Sequence, residues 1–228
     1  MNLIFMRARY IYLIGASLLT FSVNAQQKIT EENSFSMPFI TGQVLSPNGD
    51  KIAYVQSIAN VDSNSLQSEM VILDIKSGKK EIVANQVSDP QWSPDGTKLS
   101  FRGSEKGQAG LFYITLTDHS AKLITHVYYS NHFLGHSAKK NYSWSPDGKY
   151  IAFVGADTLQ AKEKIDPLAP KIIERISYKS RTSYSDNVLT KIYLVDVTTK
   201  EVRVLTNDNF DSHSLAWSPD SKQIAFVS

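Results

Sequence analysis

The chain has 228 residues, with 24 Lys and Arg against 22 Asp and Glu and no cysteine. Two of the basic residues, Arg7 and Arg9, lie in the first 25 positions, which hold no acid, so the remainder carries 22 charges of each sign. That balance argues against a nucleic-acid or anionic-membrane binder, which would carry a basic surplus, and the lack of cysteine excludes disulfides and a lipid-anchored lipoprotein.

Residues 1–25 read as a secretory leader. Arg7 and Arg9 form a positive stretch, Ile11 to Phe21 a short apolar one, and Val23-Asn24-Ala25 a small-residue cleavage site that would leave Gln26 as the mature start. The apolar run is shorter than the ~20 residues of a membrane span. An exported product, periplasmic or secreted, is therefore expected.

From residue 43 onward one phrase returns four times: a short strand, a Ser-Pro-Asp-Gly turn and a second strand. The copies centre on Ser46-Pro47-Asn48-Gly49, Ser93-Pro94-Asp95-Gly96, Ser145-Pro146-Asp147-Gly148 and Ser218-Pro219-Asp220-Ser221. Serine at the first position can bond the backbone two residues on, proline pre-sets φ at the second and glycine suits the fourth, so the tetrad predicts a type I turn. Ser221 in the glycine place predicts a less regular fourth turn. All three tryptophans, Trp92, Trp144 and Trp217, precede a turn serine, and Leu45 takes that place in the first copy. Their fixed place in the repeat points to packing between repeats rather than to a ligand platform. The strand after the turn is apolar on both faces and so expected to be buried on both sides, except where Arg102 replaces the last valine in copy two.

Between the phrases lies a second hairpin: Met70–Ile75 with Glu81–Val83, Leu111–Leu116 with Lys122–Thr125, and Lys191–Val197 with Val202–Thr206. Four strands per unit of about 45–50 residues is the signature of a β-propeller blade. The fold expected is all-β, a partial β-propeller of about three and a half four-stranded blades within 26–228, the blades at about 37–84, 89–125, 142–206 and, in part, 215–228. Residues 59–68 read as a loop inside the first blade. Two connections are long: 125–142, with His126, Tyr128, Tyr129, His132, Phe133 and His136, and 157–190, rich in both charges. Antiparallel pairing puts both on one face, opposite the tight turns, so that face is expected to be the working one.

No catalytic centre can be assembled from the sequence. Gly135-His136-Ser137-Ala138-Lys139 lacks the second glycine of a nucleophile elbow, and Ser137–Lys140 matches S-x-x-K no better than Ser77–Lys80 in a hairpin turn. His132 and His136 have helix-face spacing but a glycine between them and no paired acid, so they read as surface loop histidines. The turn aspartates lack the alternating acids of a calcium loop. No catalytic residue, metal or cofactor is expected in this chain.

The phrase Trp-Ser-Pro-Asp-Gly-Lys-x-Ile-Ala-Phe-Val at Trp144–Val154, with Ile192–Val197 and Val202–Thr206 after it, resembles the propeller repeats shared by TolB and the prolyl-oligopeptidase family of serine peptidases. TolB-like proteins carry an α/β domain ahead of the propeller, for which residues 26–42 have no room. The opening Met37-Pro38-Phe39 to Val55 and the stretch Ile172–Tyr178 are similar to acylaminoacyl-peptidase and dipeptidyl-peptidase-like members. The resemblance implies the N-terminal propeller of an exported serine exopeptidase, admitting or positioning peptide substrates for an α/β-hydrolase domain that would follow Ser228 and carry the catalytic triad. Whether the chain serves an enzyme is left open by its own residues. Some members of the family hold the substrate's amino terminus through glutamates on a propeller insertion, and Glu174 is the acid in a comparable position here. The partners implied are peptides, with no nucleic acid, no membrane beyond the leader and an open oligomeric state. The alternative is a TolB-like periplasmic binding module without enzyme activity.

Overall fold

The computed structural model describes residues 30, 34, 37–131, 141–157, 168, 170, 172, 174, 179–180 and 183–228. Sixteen strands follow one another among them. Blade one is β1 (Phe39–Leu45), β2 (Lys51–Asn60), β3 (Ser65–Asp74) and β4 (Lys80–Asn85). Blade two is β5 (Ser88–Trp92), β6 (Lys98–Glu105), β7 (Gln108–Thr115) and β8 (Lys122–His126). Blade three combines β9 (Tyr142–Trp144) and β10 (Tyr150–Ala156) with β13 (Thr190–Asp196) and β14 (Val202–Val204), interrupted by a small hairpin, β11 (Lys179–Ser180) and β12 (Ser183–Tyr184). Two strands of a fourth blade close the chain, β15 (His213–Trp217) and β16 (Ile224–Val227). Each four-stranded sheet is an antiparallel meander in chain order, so the fold is a β-propeller arc.

Residues 59–68 are not a loop: β2 and β3 pair as far as Asn60 with Ser65, leaving only 61–64 to turn. Polar side chains hold this ladder, with Ser57 Oγ 2.9 Å from Ser68 Oγ and Gln56 Nε2 donating to Glu69 Oε2 at 2.9 Å. His126 likewise ends β8 rather than lying in a loop, opposite Gly110, where a Cβ would meet the Thr125 carbonyl oxygen at 2.9 Å.

Turns two to four share one wiring, while in turn one, with Asn48 in the aspartate place, the Ser46 hydroxyl donates instead to Asp50 Oδ1 at 3.0 Å. In turn two the Gly96 N–H donates to the Ser93 carbonyl at 2.8 Å, while the Ser93 hydroxyl accepts from the Lys98 N–H at 2.9 Å and donates to Asp95 Oδ1 at 2.6 Å. The serine thus bonds the backbone five residues on, across the turn, not two; the aspartate serves the residue two on, Thr97 N–H to Asp95 Oδ1 at 3.1 Å. Turn four does not loosen. Ser221 adopts φ 62°, and its N–H still reaches the Ser218 carbonyl at 3.0 Å. Its hydroxyl recovers some of the strain by accepting the Asp147 N–H of the preceding turn at 3.0 Å.

The core is divided among the seams between blades. Ala53, Val55, Met70 and Ile72 of blade one meet Trp92, Leu99, Phe101 and Phe112 of blade two. Leu111 and Ile124 meet Tyr142, Trp144, Ile151 and Phe153, and Ala152, Val154, Ile192 and Leu194 meet Leu215. The period-2 alternation of each second strand sends Leu99 and Phe101 one way and Ser100 the other. Each fully buried Leu, Ile, Val, Phe or Met side chain in these seams contributes about 1.5–3 kcal/mol.

The tryptophans register the seams. Trp92 Nε1 donates to the Val44 carbonyl of blade one at 3.2 Å, and Trp217 Nε1 to the Ser143 carbonyl of blade three at 3.1 Å. Trp144 departs from this. Its Nε1 donates to Ser100 Oγ at 2.8 Å, and Ser100 Oγ donates to the Gln91 carbonyl at 3.0 Å. Gln91 is the blade-two counterpart of Val44 and Ser143, so the hydroxyl is a relay inserted where the other second strands carry alanine. Trp92 and Trp144 are 9% and 7% exposed, whereas Leu45, with no described blade on its flank, is 59% exposed.

Two outcomes are expected. Trp144→Phe keeps the ring and strips the buried Ser100 hydroxyl of its donor, at a cost of about 1–3 kcal/mol in chemical denaturation. The turn serines' hydroxyls, with backbone N–H groups behind them, hold the carboxyls of Asp95, Asp147 and Asp220 below their ordinary 3.8. Groups lowered on folding stabilise fully above their unfolded value, and that stability is lost as pH falls through the folded one. The melting temperature should therefore drop on acidification below about pH 4, and more shallowly in an Asp95→Asn, Asp147→Asn, Asp220→Asn variant. An identical acid limb in that variant would detach the turns from acid stability.

Candidate functional site

The serine candidates do not form a nucleophilic centre among the described residues. Ser77 sits in the β3–β4 turn, where its N–H and hydroxyl both donate to Asp74 Oδ1, at 2.8 and 2.7 Å. Ser137, Lys139 and Lys140 lie outside the described residues, as do His132, Phe133 and His136. His213 Nδ1 is 2.8 Å from Ser214 Oγ, but the nearby Asp211 carboxylate accepts from the N–H and hydroxyl of Thr190, at 2.9 and 3.1 Å. Among the described residues no three His, Asp or Glu side chains converge as metal ligands.

What the fold does assemble is a face. The link leaving β8 and the insertion between β10 and β13 meet there. Ala156 N–H donates to the Tyr128 carbonyl at 2.7 Å, holding the link against the end of β10. Asp186 then accepts from the Ser130 hydroxyl at 2.8 Å and from the Asn131 N–H at 2.7 Å. Asn131 returns both halves of its amide, accepting from the Asp186 N–H at 3.0 Å and donating to the Tyr184 carbonyl at 2.8 Å. Two segments more than fifty residues apart in sequence are thereby stitched together.

Arg102 anchors the same link from below. At the place where other second strands carry valine, its Nε donates to Tyr129 Oη at 2.9 Å and its Nη1 to Asp89 Oδ2 at 3.0 Å, with the guanidinium 4.3 Å from the Tyr129 ring centre. Burial alone would lower the guanidinium, but Tyr129 and Asp89 outweigh it and hold Arg102 charged. Burial raises the Tyr129 phenol. Asp89 stands at φ 52° in a β5 bulge, and its carbonyl accepts from the Tyr142 hydroxyl at 2.6 Å. Full burial pushes the Tyr142 phenol up as well, so it stays a donor. Arg102, Asp89, Tyr129 and Tyr142 thus join the blade-two and blade-three inner strands to the link, on the side where both long connections lie.

Glu174 is exposed within the insertion. Its N–H donates to Asn187 Oδ1 at 3.2 Å, and Asn187 Nδ2 donates to the Ile172 carbonyl at 2.7 Å. Asp186, Asn187, Ser130 and Asn131 were not legible as site residues, the sequence marking 157–190 only as a connection rich in both charges. The readable signal was the pair itself: Asp and Asn just ahead of a buried strand are the residue types that bond backbone locally.

No protein-family model matches the chain. It is similar to an uncharacterized peptidase, YuxL, of Bacillus subtilis, at 28% identity over 87% of this chain and 31% of that protein. It is also similar to dipeptidyl-peptidase 5 of Porphyromonas gingivalis, at 21% identity over 95% of this chain and 34% of that protein. The chain thus spans about a third of the length of the curated relatives it matches. Among solved structures it superposes on the acylaminoacyl peptidase of Pyrococcus horikoshii with a TM-score of 0.66 at 20% identity, covering 85% of this chain and 28% of that one. The β-propeller domain of the trilobed protease from Pyrococcus furiosus matches with a TM-score of 0.53 at 19% identity, covering 80% and 47%. The resemblance read from the repeats holds: the curated relatives are peptidases, and the fold is that of β-propeller domains.

Arg102→Met keeps the aliphatic stem and leaves Asp89 and Tyr129 without their cation. It should cost about 1.5–3 kcal/mol, the range for a hydrogen-bonded charge. Amide exchange at 127–131 should rise with it, while that of β2 and β3 stays as before. Unchanged exchange in the link would show that Arg102 does not anchor it.

Proposed function

We propose that this chain is the propeller portion of an exported serine exopeptidase or oligopeptidase, positioning and admitting peptides for an α/β-hydrolase domain. The observation that carries the reading is the joining of the blade-two link to the blade-three insertion on a single face. A peptide approaching that face meets loops held by a rigid scaffold rather than free segments, which is where recognition sites are commonly built. Kinship with peptidases about three times the chain's length supports the same reading. In it the propeller supplies access and orientation, the hydrolase domain supplies the nucleophile, and Glu174 receives the protonated amino terminus of the peptide. A carboxylate suits an ammonium group, because charge-assisted hydrogen bonds are about twice as strong as neutral ones. The proposal includes export through the leader at 1–25, with peptides as the partners and no nucleic acid.

The test is an expression experiment with two readouts. Protein recovered from outside the cytoplasm should begin at Gln26. Residues 26–228 should turn over neither dipeptidyl nor acylaminoacyl chromogenic substrates, and a polypeptide in which an α/β-hydrolase domain follows should cleave them. Turnover by 26–228 that survives repurification and disappears in Ser137→Ala would move the nucleophile into this chain. A full-length product that binds envelope proteins and cleaves nothing would replace the peptidase by a binding module.

A further inference from the structure

We propose that Asp186 and Asn187 are positioning residues for Glu174, and that through it they set how strongly this face distinguishes a free peptide amino terminus from a blocked one. The inference rests on the assignment of Glu174 made above. Its physical basis is a division of labour between two adjacent residues. Asp186 faces the blade-two link, which it holds through Ser130 and the Asn131 N–H, and its Oδ1 also accepts the Val188 N–H at 3.1 Å, bracing the turn into β13. Asn187 faces the other way. At φ 55°, a left-handed conformation that asparagine tolerates better than most residues, its side-chain amide bonds the carbonyl of Ile172 and the N–H of Glu174. A donor and an acceptor directed at alternate residues of one segment do what the peptide group of a neighbouring strand would do. The backbone of Glu174 is therefore referenced to β13, a buried central strand of blade three, through only a few intervening residues.

This matters because an exposed ion pair contributes little when its side chains must be ordered on binding. Fixing the backbone beneath the carboxylate removes part of that ordering cost before the ligand arrives. The clamp should therefore act on the amino-terminal preference rather than on general affinity for peptide.

The test compares Gly-Phe-Ala-Ala amide with its N-acetylated form by calorimetric titration of the protein. The parent should bind the free form about tenfold more tightly, the scale of one charge-assisted hydrogen bond, and Glu174→Gln should abolish the difference. Asn187→Gly retains the left-handed backbone while deleting the amide, and should bring the ratio to about twofold or less, with the loss confined to the free peptide and the melting temperature close to the parent's. Asp186→Asn should act in the same direction; if it fails to fold, Asn187→Gly decides alone. A full tenfold preference in Asn187→Gly, with Glu174→Gln inactive, overturns the positioning role and leaves the Glu174 assignment standing. A parent without preference, or a preference that survives Glu174→Gln, overturns the assignment itself and the positioning role with it.

Discussion

The structure depends on the indole N–H that each of blades two to four sends back to its predecessor. A propeller blade has no core of its own, since its sheet is one layer thick and buries its faces only against neighbours. Apolar contact between blades is strong but has no direction, so it cannot by itself choose one sliding register between two twisted sheets. The tryptophan supplies the direction. Its ring fills the seam, and its one donor must find an acceptor or leave a buried polar group unpaired. The acceptor is an inner-strand carbonyl, or in one case a hydroxyl resting on one, so each seam has a preferred register.

The same logic explains what could be read from the sequence. Period, turn residues and strand pattern are local, and the repeats state them four times, so the blades and their meander order were legible. The errors came where a pairwise partner decided the outcome. Ser221 looked like a defect, but its hydroxyl accepts the Asp147 N–H of the preceding turn. Residues 59–68 looked like a polar loop because their composition is polar, yet they extend the β2–β3 ladder through Ala59 with Leu66 and Asn60 with Ser65. The candidate site was the least legible part, since Asp186 and Ser130 lie far apart in sequence and neither belongs to a repeat.

The face that carries the long connections is held in two different ways. Below, Arg102 binds through a half-buried charge, with Asp89 and Tyr129 compensating its partial loss of water. Above, Asp186 and Asn131 work through paired hydrogen bonds at half-buried positions. The first device resists being pulled out of the seam, because stripping one partner leaves a desolvated charge. The second can exchange partners with water at modest cost. Loops mounted on the second device and braced by the first combine a fixed base with an adjustable upper layer.

The Ser100 relay also bears on how such an arc could arise by gene duplication. If the blades were interchangeable modules, any copy could be inserted after any other. Yet blade three's indole is served by a serine in blade two, while blade two's indole reaches a carbonyl beside Ala53. Moving blade three behind blade one would leave its ring facing a methyl group, and it would have to close the extra distance to the carbonyl by shifting the whole sheet. Once one seam acquires such an intermediary, its two blades are inherited as a pair, and the ancestral freedom to reorder repeats is lost at that junction.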